Sequence, residues 1–280
     1  MKGARDPGRT VTICLGILWL VDGILQLQPA MFTNAFVTSV LAPTLQGQPA
    51  PLAALIAAGI NLFAAHIFWS NLASALVQLL IGALLVFPFP RGVQRFGLWL
   101  SVAWALIVWV FGEGLGILFT GNATFYTGAP GSALLYAILA LCLLFSWHKK
   151  LPLVAGIVFL VGVVLNLMPM FWQPTMLSML VMVPSISNSL GAIGPQGTVI
   201  GNLIAVDLLA CFGILLLLVP NKAVAWATLV FLLIVWGFGQ TFGGIQTFPF
   251  ATATDPNSAP ILALFLLPIL LAARATTRTE

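Results

Sequence analysis

Apolar residues run in stretches close to the ~20 needed to cross a bilayer, broken by short clusters of Pro, Gly, Asn and charge. This pattern predicts eight membrane-crossing helices, at residues 11–29, 71–88, 95–119, 131–147, 151–170, 197–219, 223–245 and 258–273. The first apolar run is followed by Gln28-Pro29 with no small-residue cleavage site, so it reads as a permanent span. A further apolar segment, 51–70, holds Asn61 and His66 and reads as a helix that stays at the outer face.

Charge decides between eight crossings and nine. If 51–70 does not cross, Lys2, Arg5, Arg9, Arg91, Arg95, Lys149, Lys150, Lys222, Arg274 and Arg278 all fall on one side, as the excess of cations in cytoplasmic loops requires. The expected placement is a multi-pass protein of the cell membrane, with both termini cytoplasmic and the lipid bilayer as its first partner.

The pattern also repeats. Residues 99–116 read WLSVAWALIVWVFGEGLG and residues 226–243 read WATLVFLLIVWGFGQTFG, sharing the first Trp, the LIVW tetrapeptide, the following Phe-Gly and the last Gly. Gln28-Pro29-Ala30-Met31 is echoed by Gln173-Pro174-Thr175-Met176, and Asn71-Leu72 with Gly82 by Asn202-Leu203 with Gly213. The expected fold is all-α: a polytopic helical membrane protein whose eight spans form two parallel four-helix repeats, 1–150 and 151–280, plus the outer-face helix.

Composition narrows function mainly by exclusion. Charged residues make up 6% of the chain, apolar residues 61%, and mean hydropathy is +1.12, which excludes a water-soluble fold. The net charge of +4 sits between spans and reports orientation, and without a basic patch elsewhere nucleic-acid binding is excluded. Cys14, Cys142 and Cys211 lie apart in apolar segments with no CxxC spacing. No nucleophile elbow, phosphate-cradling glycine loop or zinc motif is present.

In layout each half resembles the DoxX-like four-span membrane proteins. The residues that carry the resemblance are Leu15-Gly16-Ile17-Leu18-Trp19-Leu20 with Gly23 in the first span, the run from Gln78 to Leu85 in the second, and the basic inner turn at Arg91. The acidic position that this family often has early in its second span is Gln78 here, with Asp207 near the matching stretch of the second half. The resemblance implies a redox-associated or quinone-associated membrane component that works with a membrane-protein partner complex.

Polar residues inside the spans mark candidate chemistry, because an ionisable side chain in hydrocarbon costs roughly 2.5 to 3.5 kcal/mol on insertion scales. Three acids qualify: Asp22, Glu113 and Asp207, lying ~10, ~10 and ~15 Å below the outer ends of their spans at ~1.5 Å per residue. Gln26, Gln28, Gln78, Asn202 and Gln240 map to outer halves as well, so the expectation is an outward-facing polar cavity. Glu113 aligns with Gln240, so the two halves are expected to do different jobs. The bland alternative for each acid is a hydrogen bond between helices, worth only about 0.6 kcal/mol on average. Segments 120–130 and 247–256, rich in Thr, Gly, Pro and Asn, read as turns capping the cavity, with Asp255 starting one of them.

Methionine supplies a separate candidate. Met168, Met170, Met176, Met179 and Met182 cluster on the outer side, three of them at steps of three, and with His66 they could offer soft ligands to Cu(I). Met as a gap-filler between apolar surfaces is the plain alternative. Three functions stay open at this stage. One is a component of a redox or respiratory assembly holding a quinone-like lipid. The others are a small-solute or copper carrier built from two parallel repeats, and a non-catalytic structural or assembly subunit.

Overall fold

The structure is a computed structural model that describes residues 6–180, 184–250 and 252–272; Lys2, Arg5, Met182, Arg274 and Arg278 lie outside the described residues. The described residues are helical throughout, with no strand. In chain order the helices are α1 (Pro7–Leu25), α2 (Asn34–Phe36), α3 (Ala50–Ala65), α4 (Ile67–Val86), α5 (Arg91–Phe111) and α6 (Ser132–Leu144). They continue with α7 (Leu151–Asn166), α8 (Leu177–Leu180), α9 (Pro184–Gly191), α10 (Pro195–Leu218), α11 (Lys222–Ile234) and α12 (Ser258–Leu271). Six helical segments are long and apolar enough to cross a membrane: α1, α4, α5, α10, and the segments His148–Asn166 and Lys222–Gly239 that contain α7 and α11.

The two remaining predicted spans, α6 and α12, are shorter, with 13 and 14 residues. Both begin within a residue of their expected starts, whereas α5 and α11, which precede them, end before their apolar runs do. After α5 the backbone turns left-handed over four residues, with φ of 55°, 59°, 62° and 51° at Gly114, Leu115, Gly116 and Ile117. After α11 it does so at Thr241, Phe242, Gly243 and Gly244, with φ of 44°, 54°, 65° and 73°. A right-handed helix cannot pass through such a turn, since Cβ crowds the next carbonyl by roughly 1–2 kcal/mol per non-glycine residue. The apolar runs therefore continue past the points where the helices stop.

Two close pairs organise the bundle. α1 lies antiparallel on α4 through Gly16 and Gly82, where an added Cβ on Gly16 would stand 3.0 Å from the Gly82 carbonyl oxygen. α7 packs on α10 through Gly156 and Gly213, with 2.9 Å for the same approach. Small residues let backbones meet at this distance, which is how helices associate where apolar burial gives no advantage over lipid. α6 and α12 run through the centre, and α12 also touches α1 and α7. The core is continuous across both, from Val11, Leu15 and Ile81 to Phe159, Leu209 and Phe265.

The start of α1 meets the end of α4, since the Arg9 guanidinium donates to the carbonyls of Leu85 and Val86, both at 3.0 Å, and so caps the C-terminus of α4. Gly8 lies beside His148, which places the turn between α6 and α7 at this same end. The segment 51–70 is resolved into α3 and the first residues of α4, divided at His66. The centre of α3 rests against the end of α5, where an added Cβ on Gly59 would stand 2.2 Å from Phe111 Cδ1. α3 therefore covers one end of the bundle.

Candidate functional site

Glu113 sits just past α5, and the left-handed turn that follows carries the chain away and leaves its side chain pointing at the start of α6. Its Oε1 accepts hydrogen bonds from the Ser132 hydroxyl and, at 3.0 Å, from the Ala133 backbone N–H. A carboxylate there satisfies donors that every helix start leaves unpaired. Trp109, one turn earlier, donates its indole N–H to the Pro130 carbonyl at 2.9 Å and fixes the loop above. Gly131 makes the space: with φ of 108°, any Cβ it carried would lie 2.3 Å from Glu113 Oε2.

Gln240 occupies the corresponding place on the other side of the bundle. Its Oε1 accepts from Ala259 N–H at 3.0 Å, its Nε2 donates to Ser258 Oγ at 2.8 Å, and Trp236 donates to the Pro256 carbonyl at 2.7 Å. The amide uses both ends of its side chain on α12. The acid uses one oxygen on α6, while Glu113 Oε2 is buried without a hydrogen-bond partner among the described residues.

Glu113 also lines a cavity of about 410 Å³, within the ~300–1,000 Å³ typical of small-molecule sites. Asp22, Gln26 and Gln78 line it beside Glu113, together with Trp19, Trp104, Ser132, Tyr136 and Asp255. Three buried polar atoms in this lining have no hydrogen-bond partner among the described residues, Gln78 Oε1, Trp104 Nε1 and Glu113 Oε2, while the Asp22 carboxyl and the Tyr136 hydroxyl face each other. Buried polar groups without partners are rare because each costs roughly 1–3 kcal/mol. Three such atoms, with the Asp22–Tyr136 pair, are gathered around one space.

The remaining walls are apolar. Phe36, Leu41, Ile60 and Phe63 come from the outer segment and α3, and Ile107, Val108 and Phe111 from α5. Leu62 and Ile107 belong to this lining and are 74% and 47% exposed, so the cavity opens sideways between α3 and α5 onto the outer surface of the helices. Its floor is closed: the rings of Trp19 and Tyr136 stand 4.4 Å apart, and Trp19 Nε1 donates to Ser101 Oγ at 2.8 Å.

A second, more open space of about 670 Å³ adjoins the first and shares Val40, Glu113, Ser132 and Asp255 with it. Gln240, Thr241 and Asn257 line its far side. Glu113 and Asp255 thus stand at the junction of the two. Asp255 is held there by Thr254 Oγ1, which donates to Oδ2 at 2.8 Å, and by Asn257 N–H, which donates to Oδ1 at 2.7 Å.

Not all polar candidates meet here. Gln26 lies at the rim, where it exchanges hydrogen bonds with Asn71: Nε2 to Asn71 Oδ1 at 2.6 Å, and Asn71 Nδ2 to the Gln26 carbonyl at 2.9 Å. Gln28 reaches across to the carbonyl of Ala253 at 2.9 Å. Asn202 is buried between α7 and α10 and donates to the Asn166 carbonyl at 3.0 Å. Asp207 is exposed on the outer side of α10 and lines neither space.

The soft-metal candidates are placed separately. His66 is exposed between α3 and α4, Met168 is exposed, Met170 is half-buried, and Met176 packs on the main core. Met179 falls in α8 with its side chain outside the described residues. Among the described residues, no group of three His, Cys, Asp or Glu is gathered for a metal.

Five contributors lie outside the polar candidates read from the sequence: Trp19, Trp104, Ser132, Tyr136 and Asp255. A phenol one turn after Ser132 in an otherwise apolar run was the available signal for Tyr136. Asp255 does start a turn, and it also faces the cavity because segment 252–257 crosses to the first half. Comparison with known proteins adds no further constraint: no family model, curated protein or solved structure matches the chain.

Proposed function

We propose that this chain is an eight-span membrane protein of two four-span halves, and that its first half binds a quinone-like lipid entering sideways from the bilayer. The observation that carries this reading is the union of three unpartnered polar atoms and the Asp22–Tyr136 pair with apolar walls that open between α3 and α5. Such a site suits a molecule whose ring bears hydrogen-bonding oxygens and whose tail stays in lipid. Asp22, Gln78, Glu113 and Tyr136 hold the head group, Trp19 and Trp104 flank its ring, and the closed floor favours binding over passage to the other face.

The matched contacts of Gly16 and Gly82 with Gly156 and Gly213, and of Glu113 with Gln240, support the two-half reading. The common end shared by Arg9, Arg91, Arg95 and the Lys149–Lys150 turn supports a cytoplasmic side there, and hence an outward-facing cavity. The resemblance to DoxX-like proteins supports work within a redox or respiratory assembly, with Glu113 and Asp255 linking the ligand to the outer opening.

The test is photolabelling with an azido-quinone in lipid nanodiscs, followed by peptide mapping. Label should enter α3 or the outer half of α5, unlabelled quinone or quinol should compete, and Glu113→Gln should weaken binding about tenfold, the scale of one hydrogen bond to a charged group. Label spread evenly over lipid-facing helices, without competition, would refute the reading.

A further inference from the structure

The acid that stands apart from the cavity points to a second site of a different kind. Asp207 is the thirteenth of the 24 residues of α10, so it lies near the middle of the most apolar of the membrane-length helices. Its side chain is exposed, and no hydrogen bond or ion pair joins it to any described residue. The buried face of α10, with Gly201, Ala205, Leu209 and Gly213, packs on α7. Asp207 belongs to the opposite face.

The exposed face is broad and includes Val199, Leu203 and Leu208, and along its middle Ile200, Ile204, Asp207, Cys211, Ile214 and Leu218 lie on one line at alternating steps of four and three. This is the spacing of a seam that receives another helix, in which a single polar residue sets register and partner at some cost in stability. A carboxylate facing lipid at this depth is unfavourable, and ionisable groups in membranes pair with one another. The chain offers no cation here, since its described Lys and Arg residues all stand at helix ends or in turns.

We propose that the outer face of α10 docks a membrane-spanning helix of a partner protein that carries a Lys or Arg at mid-membrane depth, paired with Asp207. Charge selects this occupant over a second copy of the chain, because a symmetric pair across the same line would set Asp207 against Asp207. The proposal is independent of any ligand in the cavity.

The experiment uses the full chain in nanodiscs, labelled with a fluorescent donor, and a synthetic 24-residue apolar helix labelled with an acceptor. The probe helix carries either Lys or Leu at its centre. Energy transfer should appear with the Lys helix at roughly tenfold lower peptide-to-lipid ratio than with the Leu helix. Asp207→Asn and Asp207→Leu should each abolish that difference while the protein remains folded by circular dichroism. Equal transfer from both helices, or a Lys preference that survives Asp207→Leu, would overturn the proposal. So would efficient Cys211–Cys211 cross-linking between copies, which would show the face covered by a second copy.

Discussion

Residues 1–150 and residues 151–280 differ in what fills the space between their helices. Aligned through their glycine contacts and helix caps, the cavity residues Trp19, Asp22, Gln78, Trp104 and Tyr136 stand opposite Phe159, Gly162, Leu209, Phe231 and Leu262. Where the first half has a space ringed by polar atoms, the second has packed rings: Phe159 lies 6.0 Å from Phe231, and Phe212 stacks on Phe231 at 4.8 Å. The last component comes from the first half itself. Phe125 packs 4.8 Å from Phe159 and lies over Gly162, while the Tyr126 hydroxyl donates to the Ala205 carbonyl at 2.7 Å. The contrast between an open space and a solid core thus lies in five positions and one loop.

The sharpest way to break this contrast is to hollow out the filled half. Phe125→Ala removes a fully buried ring and should lower stability by about 3–5 kcal/mol, whereas Phe63→Ala, which only widens an existing space, should cost much less. Thermal unfolding in detergent compares the two, and equal losses would deny the second half its role as a packed core. Next in size is Gly131→Ala, which forces a side chain into a left-handed backbone and into Glu113 Oε2. A loss of about 1–3 kcal/mol is expected, together with loss of azido-quinone labelling. Smallest, and opposite in sign, is Gln78→Leu, which copies the second half into the first. Removing an unpartnered acceptor should raise stability by about 1 kcal/mol in a chemical unfolding titration while weakening the ligand. A loss of stability would mean that Gln78 is already satisfied.

Much of this was legible in the residues, for reasons that also explain the gaps. The repeated LIVW segment put Glu113 opposite Gln240 and anticipated that an acid and an amide would take different roles at one position. The depth count brought Asp22, Gln78 and Glu113 to a common level, because helical rise converts residue number into height. It could not report direction around the helix axis, and so Asp207 was grouped with acids that it does not face. Periodicity likewise treats Phe159 and Trp19 alike, since both are apolar bodies on an inner face; only packing shows that one fills space and the other walls it. The loop at 120–130 reads as a turn capping the cavity, and nothing local in Phe125-Tyr126 says that it packs on the second half.

That crossing runs both ways, for segment 252–255 of the second half closes the first, with Ala253 receiving Gln28 and Asp255 at the cavity edge. Each half of the chain thus lends one segment to the other, while α3 covers the first half from within it. A protein of half this length, built on the same plan, could make these crossings only as a pair of copies exchanging such segments, much as domain-swapped dimers do. Joining two such copies end to end would make the exchange permanent and free each segment to change on its own. One segment could then become a plug while the other remained a rim.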